Sequence, residues 1–319
     1  MNVATPVFEP TMPPPRRLVR LGVVFDGRTP AADVPALARM SERAGIDVVW
    51  VSDPVAGTAI VGDLDAWSVA DGLLGALSTV AVGAMVGRRR GLADLVGLVV
   101  ARMKRAPPIG TRFELGLIDG DGQTRSLRSL RDMLSAIGPW VRLSAVARSS
   151  RQLDSLLGVA DDIVLSAWHT PDLETAADEA RAAAMDAGRD PASLGVAALV
   201  PVSVGRTDAE AAARAQMDPD FARFGHPADI GIFGTLEDCQ DRVIALAHAG
   251  ITDLRCVLPA TPDVHDVIAQ LTAMTIGTVD VLVPGSFRSP APPPPAGWGG
   301  RPDRPPSPRV SAGSRRRSQ

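Results

Sequence analysis

Short apolar runs recur along this chain, each followed by a helical stripe, and no two are joined by anything resembling an antiparallel hairpin. The first unit, Arg20 to Asp53, reads RLGVVFDGRTPAADVPALARMSERAGIDVVWVSD. Leu21 to Phe25 is the kind of run found in a strand buried on both faces. Thr29-Pro30 predicts a helix start, with a hydroxyl N-cap and a proline at the first helical position. Val34, Leu37, Ala38 and Ser41 then repeat at helical spacing, so one stripe can face a sheet. Gly45 predicts the helix end, because glycine reaches the left-handed conformation without a Cβ clash. Val48 to Val51 is the second strand, and a helical crossover of this length makes the two strands parallel.

The pattern continues with strands predicted at Val80–Val86, Phe113–Ile118, Val141–Val146, Ile163–Ala167, within Val196–Val204, and at Leu254–Leu258. Helices are predicted at about Trp67–Leu77, near Leu92–Met103, through Leu127 to Ile137, and around Leu153–Leu157. Others run from Thr170-Pro171 to Gly188, from a Thr235 cap to Gly250, and over about Val264–Met274, with a less regular stretch at Asp218–Ile232. Ala-Gly recurs at 44–45, 187–188 and 249–250, each time between a helix and a strand. Eight strand signals in this order fit an α/β fold of the (β/α)8 TIM-barrel type better than a doubly wound sheet. No GxGxxG follows strand one, which also argues against a dinucleotide-binding sheet. Residues 1–19 read as a flexible N-terminal arm, 20–283 as the barrel, and 284–319 as a disordered Pro/Gly/Arg-rich tail.

Composition narrows the partners. Net charge −3 and pI near 5.8 argue against a general binder of nucleic acid. Arginine carries the basic character, with Lys104 the single lysine and no tyrosine, which reads as the bias of a GC-rich genome. No run approaches the length of a membrane span, and the start of the chain has no export core. Two cysteines, Cys239 and Cys256, fit buried thiols in a reduced, cytoplasmic protein.

In such a barrel, chemistry gathers in the loops at the carboxyl ends of the strands. That places Phe25, Asp26, Ser52, Asp53, Met85 to Arg88, Asp119, Asp121, Ala147 to Ser149, Ser166 to His169, Ser203 to Arg206 and Pro259 to Thr261 around one rim. Asp53 and Asp121 suit acid–base work or substrate orientation, and equally suit the capping of helices and turns. His169 is the histidine placed at the rim, where a solvated loop role is the competing reading. Arg88-Arg89-Arg90 and Arg148 suit a phosphate, since guanidinium forks match its oxygens, but a charge run also suits a solvated face. No histidine or cysteine spacing points to a metal, and Asp119-Gly120-Asp121-Gly122 lacks the later ligands of a calcium loop.

Five stretches, in this order and spacing, resemble the bacterial luciferase-like monooxygenase superfamily, particularly its deazaflavin (coenzyme F420)-dependent oxidoreductases. They are the opening unit, STVAVGAMV, RFELGLIDGDG, VRLSAVARSSRQLDSLLGVADDIVLSA and GTLEDCQDRVIALAHAGITDLRCVLP. The resemblance implies a (β/α)8 barrel, F420 or alternatively FMN as cofactor, a small-molecule substrate and a homodimer. It implies a ring site at Met85 and Val86, where a non-proline cis peptide is common. It places the phosphate at Val146, Ala147, Arg148, Ser149 and Ser166. The chain departs from the pattern at Pro54, where a histidine is usual, and at Val-Ala-Arg-Ser, where the turn is usually glycine-rich. The insertion between strands four and five is also short. The expected activity is hydride transfer or monooxygenation of a small organic substrate. The alternative is a catalytically degenerate barrel that binds a flavin-type ligand or a partner without turnover. An unrelated phosphate-binding barrel is weakened by the lack of a barrel lysine and of a glycine-rich turn after strand seven.

Overall fold

The computed structural model describes residues 19–275 apart from 54–63, 88–91, 106–111, 119–122, 138–140, 148, 171 and 223–229. The expected tail, and the expected arm except Val19, lie outside the described residues. Nine strands run β1 (Arg20–Phe25), β2 (Val48–Ser52), β3 (Ala81–Val86), β4 (Phe113–Leu117), β5 (Arg142–Ala147), β6 (Asp162–Ser166), β7 (Gly195–Val204), β8 (Ile232–Gly234) and β9 (Asp253–Val257). Between them lie α1 (Val34–Arg43), α2 (Ala66–Ala76), α3 (Leu92–Arg105), α4 (Gln123–Ile137), α5 (Ser150–Leu156) and α6 (Leu173–Asp186). The later helices are α7 (Asp208–Gln216), α8 (Pro219–Ala222), α9 (Leu236–His248) and α10 (Val264–Met274).

Strands β1 to β7 and β9 pair in parallel around a closed ring, with β6 joined to β7, β7 to β9 and β9 to β1. This is the (β/α)8 barrel that the strand alternation predicted. The three recurrent Ala-Gly pairs behave as their composition requires, with φ of 80° at Gly45, 72° at Gly188 and 92° at Gly250. Each turns a helix end toward the next strand.

Two expectations need correction. Thr29-Pro30 does not begin α1, which starts one turn later at Val34 behind Asp33. The intervening residues close turns instead, Thr29 N–H on Asp26 O and Asp33 N–H on Pro30 O, because Arg28 is drawn back onto the Asp26 carboxylate. Similarly, Asp172 rather than Thr170 caps α6, accepting from Thr175 N–H. The structure adds β8, a three-residue strand in the stretch that lacked regular periodicity, paired with the far end of β7 at Val202–Val204. Too short to show alternation, it exists because β7 extends beyond its barrel neighbours.

The barrel interior is filled from the strand pattern upward. Alternation turns Val24, Val48, Trp50, Met85, Val146, Val164, Leu199 and Val257 inward, in a cluster distinct from the apolar layer under the helices. Trp50 is fully buried in the middle. It fits because the facing positions on β1, β3 and β4 are glycines. A Cβ on Gly83 would lie 2.1 Å from Trp50 Cε3, and one on Gly22 3.0 Å from Trp50 Cδ1. A Cβ on Gly116 would come within 3.6 Å of Trp50 Cζ3 and 3.0 Å of Met85 Cγ. The ring thus replaces the side chains that those glycines lack.

Below Trp50, toward the strands' amino ends, the floor is charged. Arg20 pairs with Glu114 and Asp253, and Arg142 pairs with Asp162. Burial opposes ionisation of Asp162, but the Arg142 guanidinium outweighs it and holds that carboxyl below the usual range. Asp253 goes the other way: burial pushes it up, and Arg20 offsets this only in part.

The same end of the barrel is tied by Glu42 on α1, whose Oε1 accepts from Ser78 N–H at 2.7 Å and Thr79 N–H at 2.6 Å. Burial works to raise this carboxyl, but the backbone donors of Thr79 and Ser78 bring it down to about 2. The contribution is therefore fully present above the unfolded carboxylate's range and is lost as pH falls through about 2. Glu42→Gln should cost about 1 kcal/mol at neutral pH, a modest figure because the site is solvent-screened. In urea melts at stepped pH, the gap between variant and wild type should close as pH approaches 2. Gly83→Ala should lower stability by about 3 kcal/mol or more, read by urea unfolding, because the new methyl overlaps the indole. Trp50→Leu in the same chain should recover part of that loss.

Candidate functional site

Parallel strands deliver their carboxyl ends to one mouth, so the inward parity of each strand decides which predicted residues share it. Ser52, Met85, Val146 and Ser166 carry that parity and meet inside the mouth along the β2–β6 side. All four are buried. Val86 and Ala147 carry the opposite parity and belong to the apolar layer between barrel and helices. Only their backbones face the rim. Among the described residues no peptide bond is cis, so the Met85–Val86 bond is trans, unlike the geometry the resemblance suggested. Asp119, Asp121, Arg148 and Arg88 to Arg90 lie outside the described residues.

Asp53 sits at the end of β2 with both carboxylate oxygens engaged. Oδ1 accepts from Ala66 N–H at 3.1 Å and Oδ2 from Gly87 N–H at 2.9 Å. Asp65, the residue at the α2 N-cap, makes no capping bond to the helix. Asp53 therefore serves as the cap from the neighbouring strand and pins the turn after Met85 to the same point. Ser149 is likewise occupied, accepting from Gln152 N–H at 3.4 Å as the cap of α5. His169 is exposed on a turn after β6, with its backbone N–H on Ser166 O and its Nδ1 3.2 Å from Ser166 Oγ. The imidazole and the buried Ser166 hydroxyl form a polar pair at the rim.

The opposite side of the mouth is occupied by the chain itself. Phe221 on α8 is fully buried and joins the interior cluster, 6.4 Å from the Trp168 ring and 6.2 Å from the Phe233 ring. Asp218, just before α8, accepts from Arg28 Nη1 at 2.7 Å and from Ala260 N–H at 2.9 Å. Arg28 also grips Asp26 and lies 5.1 Å over the Phe221 ring. This clamp links the ends of β1, β7 and β9. Sequence reasoning named Asp26 but missed Arg28, Asp218 and Phe221, which no local pattern relates across 190 residues. Ser203 hydrogen-bonds Ala211 O behind the rim, and Arg206 points outward against Glu210.

One functional neighbour did leave a signal. Arg255 is a lone charge in the apolar run LRCVL at an inward position of β9, and it is fully buried beneath the mouth. Its guanidinium lies 3.8 Å from the Trp50 ring centroid and donates to Ser144 Oγ at 3.0 Å, with Met85 Sδ at 3.8 Å. Its Nε and Nη2, and Trp50 Nε1, are buried without a hydrogen-bond partner. A donor-rich floor under an apolar Met85 and Val146 fits a flat ring bearing acceptor atoms. Cys239 and Cys256 are both buried and unbridged, as expected, and burial pushes the Cys239 thiol up to about 12.

The closed (β/α)8 barrel is shared with solved F420-dependent and FMN-containing enzymes. No family model matches the chain. A 5,10-methylenetetrahydromethanopterin reductase from Methanolobus tindarius is 23% identical over 324 residues, covering 80% of this chain and 99% of that protein. The solved coenzyme F420-dependent tetrahydromethanopterin reductase from Methanopyrus kandleri superposes with a TM-score of 0.65 at 13% identity, covering 81% of this chain and 98% of that one. The oxygenating constituent of 3,6-diketocamphane monooxygenase from Pseudomonas putida, solved with FMN, superposes with a TM-score of 0.60 at 13% identity, covering 81% and 98%. The structural neighbours thus include both F420-dependent reductases and monooxygenases, the two branches that the segment order resembled.

Asp53→Ala should destabilise the fold by about 1–3 kcal/mol, since it strands two N–H groups at the rim. Thermal unfolding of the purified variant measures this, and an unchanged midpoint would remove Asp53 from its capping role.

Proposed function

We propose that the protein is a luciferase-like oxidoreductase that uses reduced F420, or alternatively FMN, for hydride transfer to a small organic substrate or for its monooxygenation. The observation that supports this reading is the similarity, over 99% of its length, to a 5,10-methylenetetrahydromethanopterin reductase, in a closed parallel barrel of the same kind as the solved F420-dependent reductase. A bound flavin or deazaflavin supplies the redox chemistry, so the protein need only bind, orient and exclude water. Met85 and Val146 would support the ring. Ser166, held by His169, would offer a hydroxyl to substrate or cofactor, and His169 is the rim group able to exchange a proton with solvent. Asp53 would fix the turn that follows Met85, each carboxylate oxygen accepting one backbone N–H, with lone pairs left over to orient a substrate.

A second reading has one observation in its favour. Phe221 and the Arg28–Asp218 clamp fill half the mouth, as in a barrel that binds a ligand or a partner without turnover. Titration of the purified protein with F420 and with FMN, followed by visible absorbance, should give saturable binding of one of them. Arg148→Ala should weaken that binding about tenfold or more if its guanidinium meets the phosphate. Turnover of the loaded protein with an added acceptor or with oxygen separates the oxidoreductase from the non-catalytic barrel. Absence of binding by either cofactor removes both readings.

A further inference from the structure

Six ionisable side chains share the barrel interior, and they are not evenly placed along its axis. Arg20, Arg142, Asp162 and Asp253 are the first residues of their strands, and Glu114 is the second of β4. Arg255 is the third residue of β9, two places closer to the mouth than Asp253 on the same strand. The acids and the other two arginines pair among themselves on the floor, while Arg255 makes one long contact to them, Nε to Asp253 Oδ1 at 3.9 Å. Of these six, the charge nearest the mouth is therefore positive and incompletely neutralised, and Asp53 and the Asp26–Arg28–Asp218 cluster stand above it at the rim.

As a purely structural device, Arg255 is a poor choice. Desolvating a guanidinium is expensive, and a buried ion pair is often no more stabilising than well-packed apolar groups. Here two of its nitrogens find no acceptor. What Arg255 does reach is specific: Ser144 two residues before Val146, the sulfur of Met85, and the face of Trp50. These side chains stand on strands β5, β3 and β2.

We propose that Arg255 is a positioning residue for this site, holding Met85 and Ser144 beneath the bound ring and making the barrel favour the negatively charged reduced cofactor over the oxidised one. The inference rests on the functional reading above. Adding a hydride to a neutral ring leaves one negative charge, and a fixed cation beneath that ring in a medium of low dielectric stabilises the product more than the starting form. Trp50 and the three glycines around it keep the guanidinium from following the charge, so the bias is built into the resting fold.

The experiment compares affinities of wild type, Arg255→Met and Arg255→Lys for oxidised and reduced cofactor, using F420 and FMN under anaerobic conditions. Wild type should prefer the reduced form. Arg255→Met should lower the reduced-to-oxidised affinity ratio about tenfold. Arg255→Lys should keep that ratio while both affinities fall, because it retains the charge but loses the Nη1 bond to Ser144 and the stack on Trp50. If Arg255→Met fails to fold, the double variant Arg255→Met/Asp253→Asn removes one charge of each sign and should show the same fall. A ratio unchanged in the folded neutral variant overturns the proposal while leaving the functional reading intact. Failure of wild type to bind either cofactor overturns that reading, and this proposal with it.

Discussion

A fully buried indole stacked on a fully buried guanidinium, at the centre of the barrel, is the contact on which the rest of this structure depends. An eight-stranded barrel must fill its own interior, and it normally does so with layers of branched aliphatic side chains. Here Trp50 takes the place of several of them. The exchange is possible because β1, β3 and β4 present glycines 22, 83 and 116 toward it. Arg255 then lies across the ring face and extends to Ser144 and Met85, so a single layer ties β2, β3, β5 and β9. Cation–π contact is worth most where both partners are desolvated, which is the case here.

That layer separates two environments. Beneath it, salt bridges among Arg20, Glu114, Asp253, Arg142 and Asp162 close the amino-terminal end. Above it, among the described residues, aromatic rings stand on one side of the mouth and Met85 and Val146 on the other. Phe221, Trp168 and Phe233 occupy the β6–β8 side under the Arg28–Asp218 clamp. The β2–β5 side keeps Met85 and Val146 with hydroxyls at Ser52 and Ser166 around them.

Legibility follows interaction range. Gly45, Gly188 and Gly250 were readable because a helix end needs positive φ whatever surrounds it. The strands were readable because each is a short run of apolar residues. Arg255, Glu114 and Arg142 were visible as lone charges inside such runs, and inward parity could have marked them as interior groups. Asp53 was found by position, but its role was not, because Ala66 and Gly87 come to it across separate loops. The start of α1 was misread because a good local cap at Thr29-Pro30 loses to the turns closed on Asp26 and Pro30, with Arg28 held on the Asp26 carboxylate.

The sequence alone therefore determined the strand–helix alternation, the barrel class that follows from eight parallel crossovers, and the set of strand ends that meet at one rim. Those depend on period, turn chemistry and chirality, all of which act within a few tens of residues. Only the tertiary structure decided which of the rim residues face the mouth, which carboxylates are already used as caps, and that Trp50 and Arg255 stack at the centre. Those outcomes depend on register around a closed ring, where shifting one strand by one residue exchanges its inward and outward side chains.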